Sequence, residues 1–203
     1  MHTPEIHPEE LAALQNEQFF RLKSSLDDKV KDLFTLLKER LEEVSQGILP
    51  SELSHSAGRR YQGENHHGFP WRALDQPHQA SKPDLFIFRC LLLWGHQFSF
   101  HLILNGSWKD QYLEPLSRAL GPLGDLGFFI DSRPSAWEWF LDPSQLYSLS
   151  GLSEEAFRSH AGSNTHLKLT LPVPLDAFAE IPELGANAWQ VLSQALFLTS
   201  TPR

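Results

Sequence analysis

Along residues 1–46 the apolar positions Leu14, Phe19, Leu22, Leu26, Val30, Leu33, Leu37, Leu41 and Val44 recur mostly at intervals of three and four, and charged residues fill the other positions. This period predicts a long N-terminal amphipathic helix. Pro8 followed by Glu9 and Glu10 suits a first turn, where the missing N–H is no loss and acidic groups favour the positive dipole end. Gly47 and Pro50 mark the stop. Packing on the domain's own core is the expected role of the stripe, because helices gain stability mainly from tertiary burial. The same stripe also allows pairing with a second copy over about four heptads. In a third arrangement, Ser24-Ser25-Leu26-Asp27-Asp28 acts as an N-cap signal that splits the segment into a helical hairpin.

From 51 to 83 the periodicity stops, and Gly58, Gly63, Gly68, Pro70, Pro77 and Pro83 punctuate polar and aromatic residues. Such a stretch predicts a long polar loop or a pair of short edge strands. Beyond it, Leu85–Trp94 and Gln97–Asn105 are rich in Phe, Leu and Ile and read as a hairpin. Pairing Leu93 with Gln97 places Phe86, Phe88, Cys90 and Leu92 on one face with Phe98, Phe100, Leu102 and Leu104. The opposite face then carries Arg89 across from His101. A one-residue slip would push the guanidinium among the phenylalanines at a large desolvation penalty, so the first register is expected.

Downstream, Ser107–Leu120 reads as a helix in which Pro115 requires a kink or a late start. Gly127–Ile130 and Trp137–Phe140 read as a second hairpin, turning at Asp131-Ser132-Arg133-Pro134. Asp142-Pro143 and Ser153-Glu154-Glu155 mark two helix starts. Thr165–Leu171 alternates, with Leu167, Leu169 and Leu171 facing inward and His166, Lys168 and Thr170 facing water. A last helix over 186–198 and a short polar tail end the chain. The fold class expected is α+β: an antiparallel sheet built from hairpins, with helices mainly on one face. With 203 residues, no linker and no repeat, a single domain 1–203 is expected, made of a helical segment 1–46, the stretch 51–83, and the sheet and helices of 84–203.

Composition then narrows the function. The chain is 41% hydrophobic and 21% charged, enough apolar surface for a packed core. Seventeen basic against twenty-five acidic residues give a net charge of −8, which repels a phosphate backbone, so nucleic-acid binding is not expected. A single cysteine, Cys90, on the apolar hairpin face, and an N-terminus without a signal-peptide pattern point to the cytoplasm. No apolar run approaches the length of a membrane span, so a soluble protein is expected.

Candidate chemistry concentrates in Arg59–His78, which holds acids, bases and anion-binding groups side by side. Glu64, His66 and His101 are the candidate acid–base residues. Arg72, Arg89, Trp71, His67 and Asp75 are the candidate ligand-binding residues. No metal or cofactor is expected: HExxH, CxxC, GxSxG and phosphate-loop spacings are missing, and Glu64, His66 and His78 are only weak metal candidates. Of the six tryptophans, Trp71 is expected to line a site and the rest to fill the core.

The function these features favour is binding of a small polar or anionic ligand, or a peptide, in a pocket between 58–78 and the central hairpin. One alternative is a hydrolase-type enzyme using Glu64, His66 and His101, with or without metal. Another is an interaction protein that dimerises through its N-terminal helix.

Overall fold

A computed structural model describes residues 3–54 and 56–198. Residues 1–2, His55 and the polar tail 199–203 lie outside the described residues. In chain order the elements are α1 (Pro8–Leu14), α2 (Glu17–Ser45), the short α3 (Ser51–Ser54), β1 (Arg59–His66), β2 (Phe69–Ser81), β3 (Asp84–Leu93), β4 (Gln97–Asn105), α4 (Ser107–Arg118), α5 (Leu120–Asp125), β5 (Phe129–Asp131), β6 (Leu146–Ser148), α6 (Glu154–Gly162), β7 (His166–Val173) and α7 (Ile181–Ser193). The strands form one antiparallel sheet in the order β1-β2-β3-β4-β7-β5-β6, making an α+β fold. No helix among the described residues is long and apolar enough to cross a membrane.

The central hairpin has the expected register: Leu93 pairs with Gln97 and Arg89 with His101. Alternation therefore sends Phe86, Phe88, Phe98 and Phe100 to one face, where all four are fully buried under the helices. Leu167 and Leu169 of β7 and Leu74 of β2 extend this wall. α2 covers it with Val30, Leu33, Phe34, Leu37 and Leu41, while the opposite end of the helix leaves Phe19, Phe20 and Leu22 exposed. α7 crosses beside α2 at Gly185. A β-carbon there would lie 2.5 Å from Leu37 Cδ1 and 2.7 Å from Phe100 Cε1, so glycine permits this close approach. Trp189, on the same helix, donates its indole N–H to Ser45 Oγ at 2.8 Å.

Several sequence expectations are corrected. The N-terminal stripe is two helices, broken at Gln15-Asn16, where Asn16 Oδ1 accepts the Phe19 N–H at 2.9 Å. Residues 24–28 continue the helix, with Asp28 bonding outward to Lys31 at 2.8 Å and Asp27 to Arg72. The stretch 51–83 is neither a loop nor a pair of edge strands: β1 is an edge, but the long β2 lies inside the sheet, between β1 and β3. Its Pro77 is accommodated at a bulge, where Asp75 pairs with Arg89 and His78 with Ile87. Trp137–Phe140 is not a strand, and β5 pairs instead with β6 and β7. Asp142-Pro143 starts only a 3₁₀ turn, Pro143–Gln145. Finally, the polar side of β7 does not face water: His166, Lys168 and Thr170 are all buried.

Candidate functional site

The side of the sheet away from the helices carries Trp71, Ala73, Asp75, Ile87, Arg89, Leu91, His101, Ile103, Lys168 and Thr170, a mixture of apolar and polar groups. The segment 133–140 crosses this face as a strap. Its alternating aromatics resemble a strand, but three of its amide donors are bound by side chains: Trp137 N–H by Ser135 Oγ at 3.2 Å, Trp139 N–H by His66 Nε2 at 3.2 Å and Phe140 N–H by Glu138 Oε1 at 2.9 Å. The strap lays Trp139 and Ala136 on Ala73, Ile87, Leu91, Leu93 and Ile103 as a second, smaller core.

Buried charges anchor the strap. Asp131 binds Arg133 through both carboxylate oxygens and lies 3.1 Å from Lys168 Nζ. Arg133 also donates to the Phe140 carbonyl, and Lys168 to the Glu138 carbonyl at 2.6 Å. Burial pushes the Asp131 carboxyl up, but Arg133 and Lys168 more than offset this and hold it below the usual carboxylate range. Burial likewise brings the Lys168 ammonium down to about 8, against the opposing pull of Asp131. His101 is wholly buried, with Ser99 Oγ 2.8 Å from Nε2 and Thr170 Oγ1 2.9 Å from Nδ1, so both ring nitrogens are partnered. Burial, reinforced by Lys168, Arg89 and Arg133, drives its pKa far down and keeps it neutral.

Between the strap and the sheet opens a cleft of about 870 Å³. On its floor Arg89 donates to Asp75 twice, from Nε at 2.6 Å and Nη2 at 2.8 Å. The guanidinium carbon lies 4.9 Å from the Trp139 ring centre, 5.2 Å from Trp137 and 5.5 Å from Tyr61, so three aromatic rings surround the ion pair. Tyr61 Oη is 3.4 Å from His78 Nε2. The β2 bulge puts His78 on the same face as Asp75. Burial lowers the His78 pKa against the pull of Asp75, and burial with Lys168 lowers that of His166. His166, at the far end of the cleft, has a buried Nε2 with no hydrogen-bond partner among the described residues.

The residues singled out from sequence divide between the two faces. Trp71, Asp75, His78 and Arg89 line the cleft. Arg72 lies on the helix side: its Nε is 2.9 Å from Asp27 Oδ1, and it donates to Glu64 Oε1 at 3.0 Å, tying β2 to α2. Glu64 also lies 3.3 Å from Lys23 and is mostly exposed. His66 and His67 instead meet Glu138 of the strap. The set Glu64, His66, His101 is therefore not assembled, and Arg72 and Arg89 do not share a pocket. The β1 bulge between Gly63 and His66 is the physical reason, since one extra residue reverses the parity that would have put Glu64 and His66 on one side. Cys90 sits in the apolar core, and burial, with Asp75, pushes its thiol well up.

Sequence reasoning missed Tyr61, Trp137, Glu138, Trp139, His166 and Lys168. The available signal was that Trp137 and Trp139 fall on one side of an extended segment, which holds for a strap as well as for a strand.

One further group stands at the rim. His66 Nε2 is 2.9 Å from Glu138 Oε1, and His67 Nε2 is 2.9 Å from Glu138 Oε2, with the donor atoms of all three residues within 4.8 Å of one another. Burial pushes the Glu138 carboxyl up, but the Phe140 N–H and the two histidines prevail and bring it down to about 2. Comparison with known proteins finds no matching family model, curated protein or solved structure.

Proposed function

We propose that this protein binds a small polar ligand with a flat, apolar body in the cleft between the 133–140 strap and the outer face of the sheet. The observation that carries this reading is His166: its Nε2 is buried in the cleft wall without a partner among the described residues, and leaving such an atom unpaired costs about 1–3 kcal/mol, which a ligand hydrogen bond would relieve. Burial keeps the ring neutral, so it offers a single hydrogen bond without charge. Trp137, nearly half exposed, and Trp71, at the opposite end from His166, supply flat apolar surface in the cleft lining.

The charge balance narrows the ligand class. Asp75 and Asp84 offset Lys82 and Arg89 around the cleft, and Arg89 already spends two donors on Asp75. That balance favours an uncharged or zwitterionic molecule over a free anion. At about 870 Å³ the cleft falls in the roughly 300–1,000 Å³ range of small-molecule sites.

Ligand-observed NMR with paired heteroaromatic amides and carboxylates tests this. Amides are expected to bind in preference to carboxylates, with the signal lost in His166→Ala and weakened in Trp137→Ala. Binding that survives both substitutions, or no binding by any member of the set, would overturn the reading.

A further inference from the structure

The geometry points to a divalent-cation site at the cleft rim, formed by His66, His67 and Glu138 and suited to zinc. The two histidines are neighbours in sequence, and on a straight strand their rings would point to opposite faces. They converge because the β1–β2 connection is a tight turn in which His67 has φ +52° and Gly68 φ +91°. His67 is the one non-glycine residue with positive φ among the described residues. Two-residue turns of this hand are ordinarily filled by Asn, Asp or Gly, so a histidine is held here in a sparsely populated conformation. The result is two imidazoles 4.7 Å apart, edge to face, with both Nε2 atoms toward one carboxylate.

Hydrogen bonding alone does not satisfy this group. His66 Nε2 lies 2.9 Å from a Glu138 oxygen, which requires a donor, and 3.2 Å from the Trp139 N–H, which requires an acceptor. One nitrogen of a neutral ring cannot be both. A cation at the centre would take the lone pairs of both imidazoles and of the carboxylate together, which removes the need for a proton in the 2.9 Å contact and leaves the Trp139 N–H to another acceptor.

The donor set selects the ion. Two imidazoles and one carboxylate suit zinc and its borderline neighbours, whereas calcium and magnesium prefer oxygen. Zinc–ligand distances of about 2.0–2.2 Å place tetrahedral donors ~3.3 Å apart, so Glu138 must withdraw a few tenths of an ångström from each 2.9 Å contact and the three donors, now within 4.8 Å of one another, must close around the ion. The Phe140 N–H orients Glu138, as outer-sphere partners of ligating carboxylates do. Three protein ligands leave one position for water. Because Glu138 belongs to the strap and the histidines to the β1–β2 turn, a bound ion would pin the strap across the end of the sheet.

Calorimetric titration of the full chain with ZnCl₂, against CaCl₂ and MgCl₂, tests the site. One equivalent of zinc is expected to bind, with no response to the hard cations. Glu138→Gln and the double variant His66→Asn/His67→Asn are each expected to lose more than the ~10–100-fold typical of second-shell changes. Asparagine tolerates the left-handed turn, so the histidine variant should keep the parent's circular dichroism. His160→Asn, at a histidine stacked on Tyr147, should bind as the parent does. No zinc uptake by the folded parent, undiminished uptake by the variants, or equal response to calcium would overturn the site. These outcomes are separate from fragment binding at His166, so the site and the cleft stand or fall independently.

Discussion

The two sides of this sheet are made by the same strands and differ in how they are stabilised. On the helix side Phe86, Phe88, Phe98 and Phe100 are sealed by α2 and α7, and shape alone decides what fits, as Gly185 shows. On the strap side Asp75, Arg89, Asp131, Lys168 and His101 are just as hidden from water, yet each is held by named partners. Apolar burial is non-directional and summed over area, whereas buried charge is tolerated only in matched sets. The first arrangement makes a wall. The second fixes side chains in defined orientations next to open space, which a binding site requires.

Substitutions can break or sharpen this contrast. The largest effect is expected on the helix side, where Phe100→Ala should destabilise the chain by about 3–5 kcal/mol in urea unfolding, because the wall cannot collapse around the void. On the strap side Asp75→Ala should cost about 3 kcal/mol by stranding Arg89, while Asp75→Leu/Arg89→Met should return to within about 1 kcal/mol of the parent, since removing both charges also removes their desolvation. A double variant as unstable as the sum of its singles would show that the two sides are held in the same way.

The smallest effect is electrostatic. Asp131 and Glu138 both titrate lower when folded than when unfolded, so the unfolded chain takes up protons first as pH falls. The stability they contribute is complete above the ordinary carboxylate range near 4.5 and is lost as pH falls toward about 2. Glu138→Gln should flatten this acid slope by about 1–2 kcal/mol, measured as urea midpoints across that window, with solvent screening of the partly exposed carboxylate reducing the effect.

What could be read in the chain beforehand follows the same division. The Leu93–Gln97 register was legible because a slip would bury Arg89 among phenylalanines, an error too large to be compensated. The strap was not legible: Trp137-Glu138-Trp139-Phe140 alternates like a strand, and only the side-chain acceptors of His66, Glu138 and Ser135 reveal that its amides bond elsewhere. The alternation around Lys168 predicts a solvated face, because it marks a polar side without marking what covers it. The site residues were located by segment and mis-sorted by face, since the bulges at Gly63/His66 and Asp75/His78 each shift parity by one residue. Asn16 is a legible cap in hindsight, although no Gly or Pro announces the break it makes.

Trp139 lies within 4.9 Å of the Arg89 guanidinium, 4.8 Å of the Lys168 ammonium and 5.4 Å of the His101 ring. Lifting that one indole would let water reach two cations and a neutral imidazole at once, so their hydration would repay much of the apolar contact given up. One indole thus shields three polar groups of the strap-side cluster from solvent at once.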